Sequence, residues 1–297
     1  CEHKDLIYVP PMYVDFCYDW TLCPDAKPVS MRLISFADGK QPEPYPSEGR
    51  NGVSTVLPAG TYHFIAHNSD TEVLTGSGST WDNYQVNVTV SKIESVSRIF
   101  KSLRRVPMAP GTESQAFIYE PDQLWYSAVS NVELSKEVGS LVTLPMQEAT
   151  QEYVFELHNI ANLDKVRDIA LTLSGVSMSF IPSKGQCTDT HAVVTFGGKV
   201  TGDSTVVGNV RLFGHCPDKE QYEHMLVMYV QLADGSKWYY IANVTAAMHD
   251  PDHITGSGGT GNTTVPIEVD EMTVAKPITN GSGLQPTVAE WKEVEVK

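Results

Sequence analysis

The sequence predicts an all-β protein built as two antiparallel β-sandwiches in tandem. Three observations carry that expectation. Short runs with a period of two recur along the whole chain. Val, Thr, Tyr and Ile are abundant, and 41% of the residues are hydrophobic, enough for a packed interior. The length of 297 residues is about twice that of a typical domain, so two cores are expected rather than one.

Taken in order, the first strand is MYVDFCYD, where Tyr13, Asp15 and Cys17 alternate with Val14, Phe16 and Tyr18. VSMRLISF alternates next, with Met31, Leu33 and Ser35 set against Arg32, Ile34 and Phe36, and it ends in the turn ADGK. The proline-rich QPEPYPSEGRNG (41–52) predicts an exposed loop, since proline cannot donate to a ladder. VSTVLPAGTYHFIAHN and YQVNVTVSKI follow as two strands with a Gly/Ser/Asp-rich connection. EPDQLWYSAVSNV, with Pro121 near its start, predicts a short helix. The polar stretch LPMQEATQ then divides the chain into domains 1–147 and 148–297.

The second half repeats the pattern. EYVFELHNI, DIALTLSGVSMSFI, AVVTFGGKV, GNVRLFG, EHMLVMYVQL and SKWYYIANVTAAM read as strands at sandwich spacing. QLADGSKWYY predicts a hairpin, because Asp-Gly supplies the positive backbone angles of a tight turn. Of Trp238, Tyr239 and Tyr240, at least one must point inward, so core packing accounts for most of this aromatic run. The tail holds two more strand-like segments, TTVPIEVDEMTVAKP and TVAEWKEVEVK, on either side of ITNGSGLQP. They either close the edge of their own sandwich or are held out to pair with another subunit.

Charge and motifs narrow the function. Lys and Arg total 21 against 36 Asp and Glu, a net of −15, which repels phosphate backbones and makes nucleic acid a poor partner. The one basic cluster, Arg98 to Arg105, has the spacing of a solvated face. No run approaches the roughly 18 apolar residues of a membrane-spanning helix. There is no G-x-S-x-G, no H-E-x-x-H and no phosphate loop, so no catalytic residue, cofactor or metal is assigned. Were a metal present, His215, His224, His249 and His253 would be the first ligands to examine. However, Pro251 denies the last two a shared helix, and Cys216 beside His215 competes as a disulfide partner. Asp15 and Asp19 share a strand face but lack a partner acid, so they read as solvated.

The cysteines point to export. A chain that begins on Cys1 matches the processing of bacterial lipoproteins, in which the thiol is acylated and the signal is cut in front of it; an arbitrary chain boundary is the alternative. The remaining Cys17, Cys23, Cys187 and Cys216 are even in number, as suits an oxidising compartment. Of three pairings, Cys17–Cys23 with Cys187–Cys216 is expected, one bridge per half, with free buried thiols as the alternative.

Seven phrases in order resemble one family: CEHKDL, VDFCYDW, SMRLISFADGK, LPAGTYHFIAHNSDTE, LHNIANLDKVRDIALTLSGVSMS, LADGSKWYYIANVT and GLQPTVAEWKEVEVK. They are similar to the fimbrillin-like lipoproteins of Bacteroidales, the group of major, anchor and tip subunits of a lipoprotein-derived pilus. The resemblance implies two transthyretin-like sandwiches and a lipidated Cys1 that ties the chain to the outer membrane. In that group, shaft subunits are cut after a basic residue, and the groove so opened is filled by another subunit's C-terminal strand. Carried onto this sequence, the lost segment includes VDFCYDW and SMRLISF, and the cut falls after Arg50. The donor is TVAEWKEVEVK, with Val288, Trp291, Val294 and Val296 as pocket-fillers. The beginning most resembles anchor members, which keep their N-terminus.

The expected function is therefore a lipid-anchored surface pilus subunit or adhesin, joined to other subunits by strand exchange and facing an unidentified surface ligand. The alternative is a monomeric surface lipoprotein that captures glycans or another nutrient.

Overall fold

In the computed structural model, residues 11–91, 106–135, 141–214 and 223–249 are described in full, and 265–269 and 292–295 by their backbone. The first half holds β1 (Pro11–Asp19), β2 (Ser30–Phe36), β3 (Glu43–Glu48), β4 (Val53–Pro58), β5 (Gly60–Asn68), β6 (Leu74–Ser77), β7 (Gln85–Val88), β8 (Ala116–Ile118), β9 (Trp125–Leu134), β10 (Leu141–Pro145) and β11 (Gln147–Glu148). The second half holds β12 (Gln151–Leu157), β13 (Val166–Ser177), β14 (Ser179–Ile181), β15 (Gln186–Cys187), β16 (His191–Gly197), β17 (Lys199–Thr201), β18 (Thr205–Leu212), β19 (Met225–Leu232) and β20 (Lys237–Asn243). A single helical turn, α1 (Thr245–Met248), follows, and then β21 (Val265–Val269) and β22 (Lys292–Glu295). The chain is all-β, as its period-two runs require.

Two sandwiches form. The first sets the sheet β10-β1-β4 against β11-β9-β5-β2-β3. Their shared core includes Val14, Phe16 and Tyr18 from one sheet and Met31, Leu33, Phe64 and Trp125 from the other. The second sets β17-β18-β12-β21 against β22-β20-β19-β13-β16-β8 over Phe155, Leu171, Phe196, Val210, Met228 and Tyr240. A smaller sheet, β15-β14-β7-β6, takes strands from both halves. Ile34, Phe36, Ile65 and Tyr126, on the back of the five-stranded sheet, belong to the same cluster as the second core. Both faces of that sheet are therefore buried, which is why β2 reads as nearly continuous burial from Leu33 to Phe36.

Five expectations meet the structure here. β1 keeps its alternation: Val14, Phe16 and Tyr18 are buried while Tyr13, Asp15 and Cys17 face out. The ADGS hairpin joins β19 to β20, with Gly235 at φ +82° and Asp234 Oδ1 accepting from the Ser236 N–H and hydroxyl. The proline-rich loop is corrected in part. Glu43–Glu48 is a strand at the edge of its sheet, where Pro44 and Pro46 pair with Ile34 and Arg32. The two prolines share parity, so their missing N–H groups fall on the solvent side, where no ladder bond is lost.

The predicted helix is also corrected. Trp125–Leu134 is a strand between β5 and β11. Its aromatic and β-branched residues fit a pleated surface, and pairing with a partner some sixty residues earlier overrides the local signal. A register shift opposite Tyr62 and Phe64 is absorbed beside Asn131 at φ +54°, a residue that tolerates the left-handed region. VSTVLPAGTYHFIAHN divides at Ala59 into β4 and β5, which belong to opposite sheets of the sandwich.

Candidate strand-exchange site

β1 occupies a slot. It pairs antiparallel with β4, Met12 opposite Leu57 and Phe16 opposite Val53. On its other side it pairs parallel with β10, Phe16 opposite Val142 and Tyr18 opposite Leu144. Without β1, the two neighbours would face each other across one strand's width with unpaired N–H and C=O groups. Its inward residues fill a row of pockets: Val14, Phe16 and Tyr18 are 0%, 3% and 4% exposed. Phe16 meets Phe64 edge-on at 4.7 Å between ring centroids. Burying each such side chain stabilises by about 1.5–3 kcal/mol.

The turn that follows β3 fastens this strand from outside. Trp20, just past β1, packs edge-on against Trp125 at 6.3 Å and donates its indole N–H to the Arg50 carbonyl at 3.2 Å. The Arg50 guanidinium lies over the Trp20 ring at 5.1 Å and donates to the Pro24 carbonyl at 2.8 Å. Arg50 is exposed, as an accessible cut site requires, yet three contacts hold its turn closed. Two residues on, Gly52 sits so close to β1 that a Cβ there would lie 1.9 Å from the Phe16 carbonyl oxygen. Its φ of +78° is also open mainly to glycine, so the turn admits no other residue without displacing β1. Sequence reading had no signal for this clamp, since its partners lie some thirty residues apart.

The cysteines follow strand geometry. Cys17 lies on the outer face of β1 and Cys23 is buried, its thiol 3.8 Å from the Met146 carbonyl. The expected Cys17–Cys23 bridge is absent: both thiols are free, Cys17 exposed on β1 and Cys23 buried in the turn beyond the strand's end. Burial, aided by the nearby Glu148 carboxylate, pushes the Cys23 thiol up, away from reactivity. Cys187 is buried in the second core, and burial pushes its thiol up to about 11. Its expected partner Cys216 lies outside the described residues, as does Cys1.

Of the donor residues, Val288, Trp291 and Val296 lie outside the described residues, and Val294 is described by its backbone in β22. β22 runs parallel to β20 at the edge of the six-stranded sheet of its own chain, Val294 opposite Tyr240. β21 runs parallel to β12. The two tail segments thus close edges of their own sandwich in this chain, the first of the two expectations. Tyr240 is fully buried while Trp238 and Tyr239 are half-buried, as the aromatic run requires.

The histidines divide. His215 and His253 lie outside the described residues, but His224 and His249 meet with their Nε2 atoms 3.1 Å apart. His224 Nδ1 donates to the Ser174 carbonyl at 3.2 Å, and burial holds its ring down to about 4, so it is neutral at pH 7. Among the described residues, no three His, Cys, Asp or Glu side chains come together as a metal site. Asp15 accepts from the Ser54 hydroxyl and Asp19 from Thr21, which are local surface bonds.

The fold has solved counterparts. A candidate adhesin from Bacteroides ovatus superposes with a TM-score of 0.69 at 18% identity, over 94% of this chain and 98% of that one. A chain from Bacteroides thetaiotaomicron described as a candidate polysaccharide-binding protein gives 0.54 at 14% identity, over 88% and 91%. The fimbrial anchor protein Mfa2 from Porphyromonas gingivalis gives 0.52 at 14% identity, over 88% and 90%. No curated protein matches the sequence. These likenesses are likenesses of fold. Residues 1–197 match the model of one sequence family, and the chain belongs to that family, the Domain of unknown function DUF5119.

Proposed function

We propose that this protein is a cell-surface pilus subunit or adhesin of anchor type, held in the outer membrane by lipid on Cys1 and joined to its neighbours by strand donation. The observation that carries the reading is the slot around β1. A single strand with three inward side chains separates β4 from β10, and its removal leaves both an apolar row and two unpaired edges. A cut after Arg50 removes β1, β2 and β3 together, while β4 and β10 stay on the remaining chain. The closed Arg50 turn favours an uncut chain whose slot stays filled by β1, which fits an anchor better than a shaft subunit; donation by this chain then requires β22 to leave the edge of its own sheet for a neighbour's. The likeness of fold to a fimbrial anchor protein supports the same role.

The test is the intact mass of the native protein extracted from its own membrane, with and without its last eleven residues. A full-length chain plus acyl groups is the result expected of a lipid anchor. A chain lacking its first fifty residues overturns the anchor role in favour of a polymerising subunit, and an unacylated full-length chain overturns the lipid attachment. Loss of co-purifying pilus subunits on deleting Thr287 to Lys297 is expected if that segment is donated; unchanged co-purification overturns donation.

A further inference from the structure

A polar cleft of about 340 Å³ opens between the ends of β2 and β5 and the edge of β6, away from the β1 slot. That volume lies within the usual range of small-molecule sites. Its lining includes Arg32, His67, Asn68, Ser69, Thr71 and Thr75. Two classes of group meet there, a saturated floor and a more open rim.

The floor is rigid. His67 and Asn68 are 5% and 3% exposed. His67 Nδ1 donates to the Asn68 carbonyl at 2.7 Å, so its Nε2 accepts from the Tyr84 hydroxyl at 2.9 Å. Asn68 Nδ2 donates to the Gln123 carbonyl and to Asp70, while its Oδ1 accepts from the Trp125 N–H. Every polar atom of these two side chains is spent on holding shape. Gly76 is part of the same construction: a Cβ there would fall 2.0 Å from the Tyr84 hydroxyl and push it off His67.

The rim carries the binding groups. Arg32 is exposed at the cleft mouth, directly opposite His67 in the β2–β5 ladder. The ion pairs among the described residues do not include it, although acidic residues outnumber basic ones by 36 to 21. Asp70, the nearby carboxylate, is already engaged by Asn68 and by the Val29 N–H at 2.7 Å. Ser69, Thr71 and Thr75 bring hydroxyls to the same cleft; Ser69 shares a hydrogen bond with the Ser30 hydroxyl at 2.9 Å and Thr71 donates to the Leu74 carbonyl at 3.4 Å, which leaves their oxygens able to accept from a ligand.

A planar guanidinium lining a rigid cleft together with hydroxyls matches one carboxylate beside several hydroxyls. The net charge of −15 repels dense polyanions at long range, so the ligand carries few charges. We propose that this cleft binds a sugar residue bearing a single carboxylate, a uronic or sialic acid, with Arg32 pairing the carboxylate and Ser69, Thr71 and Thr75 taking hydroxyls. This site is separate from the β1 slot and does not depend on the assembly reading.

The test is an amide NMR titration of the whole chain with methyl glucuronide, methyl sialoside and neutral methyl glucoside. At least one acidic sugar is expected to shift the amides of Ser69, Thr71 and Thr75 with a Kd of about 1 mM. Which one does so separates the two sources. The glucoside is expected to bind about tenfold more weakly, and Arg32→Gln to lose about tenfold toward the acidic sugar, with Arg32→Lys intermediate. Arg32 is exposed, so a thermal melt of the variant is expected to match the parent chain. The proposal is overturned if neither acidic sugar moves these amides at about 20 mM, if the glucoside binds as well, or if a folded Arg32→Gln binds unchanged.

Discussion

Truncation of Phe16 to alanine tests the slot directly. Phe16 is 3% exposed, lies between Val53 and Val142, and meets Phe64 edge-on at 4.7 Å. Removing a buried phenyl ring costs its transfer from water and leaves a cavity, together about 3–5 kcal/mol, of which the ring pair contributes about 0.5–1.5. Whole domains are stable by about 5–15 kcal/mol, so this single change removes a large share. Tyr13→Ala is the internal control: it lies on the same strand, 79% exposed, and gives up only a surface pair with Val56. That change is expected to cost less than about 1 kcal/mol. Urea unfolding followed by tryptophan fluorescence measures both, since Trp20 and Trp125 sit in the same core. If Phe16→Ala costs under about 1 kcal/mol, or Tyr13→Ala costs as much, the row of pockets under β1 does not hold this sandwich together.

Three further outcomes follow from the same structure. Gly52→Ala is expected to lower stability by about 2 kcal/mol or more, because the new methyl meets the Phe16 carbonyl and the backbone angle is strained; an unchanged melting temperature would refute the close approach. Acid should weaken the fold: burial holds His67 and His224 down to about 4, against about 6.5 unfolded, so protons bind the unfolded chain more readily. Stability is then full above pH 6.5 and falls toward pH 4 by up to about 1.4 kcal/mol per pH unit for each ring. Glu120 and Glu148, pushed up by burial, act in the opposite direction, so the decisive comparison is a shallower fall in His224→Gln than in the parent chain. Finally, a thiol reagent should label Cys17 rapidly and Cys23 only on unfolding; equal labelling, or protection of both until reduction, contradicts their separate placement.

Much of the first sandwich is written in local pattern. The alternation from Val14 to Tyr18 names the inward row of β1, because side chains along a strand change face at every residue whatever the strand pairs with. Asp234 and Gly235 likewise name their own turn, whose geometry involves only neighbouring residues. Pattern misleads where the missing fact is a neighbour. Prolines at 44 and 46 speak against a strand unless it is known to lie at an edge. WYSAVSNVEL looks helical until β5 lies beside it. Cys17 and Cys23 look like a pair until one of them is turned outward.

By itself the sequence determined that this is an all-β chain of two sandwiches, which residues of β1 face inward, and that its surface is acidic. Those properties are sums over composition or repeats at fixed period, so they survive ignorance of the fold. Only the tertiary structure decided that β1 lies in a slot between β4 and β10, that Arg50 and Trp20 close it, and that Arg32 lines one cleft with His67, itself held by Tyr84. Each of those joins residues far apart in sequence. Their meeting is set by the packing of whole sheets, which no short stretch of the chain encodes.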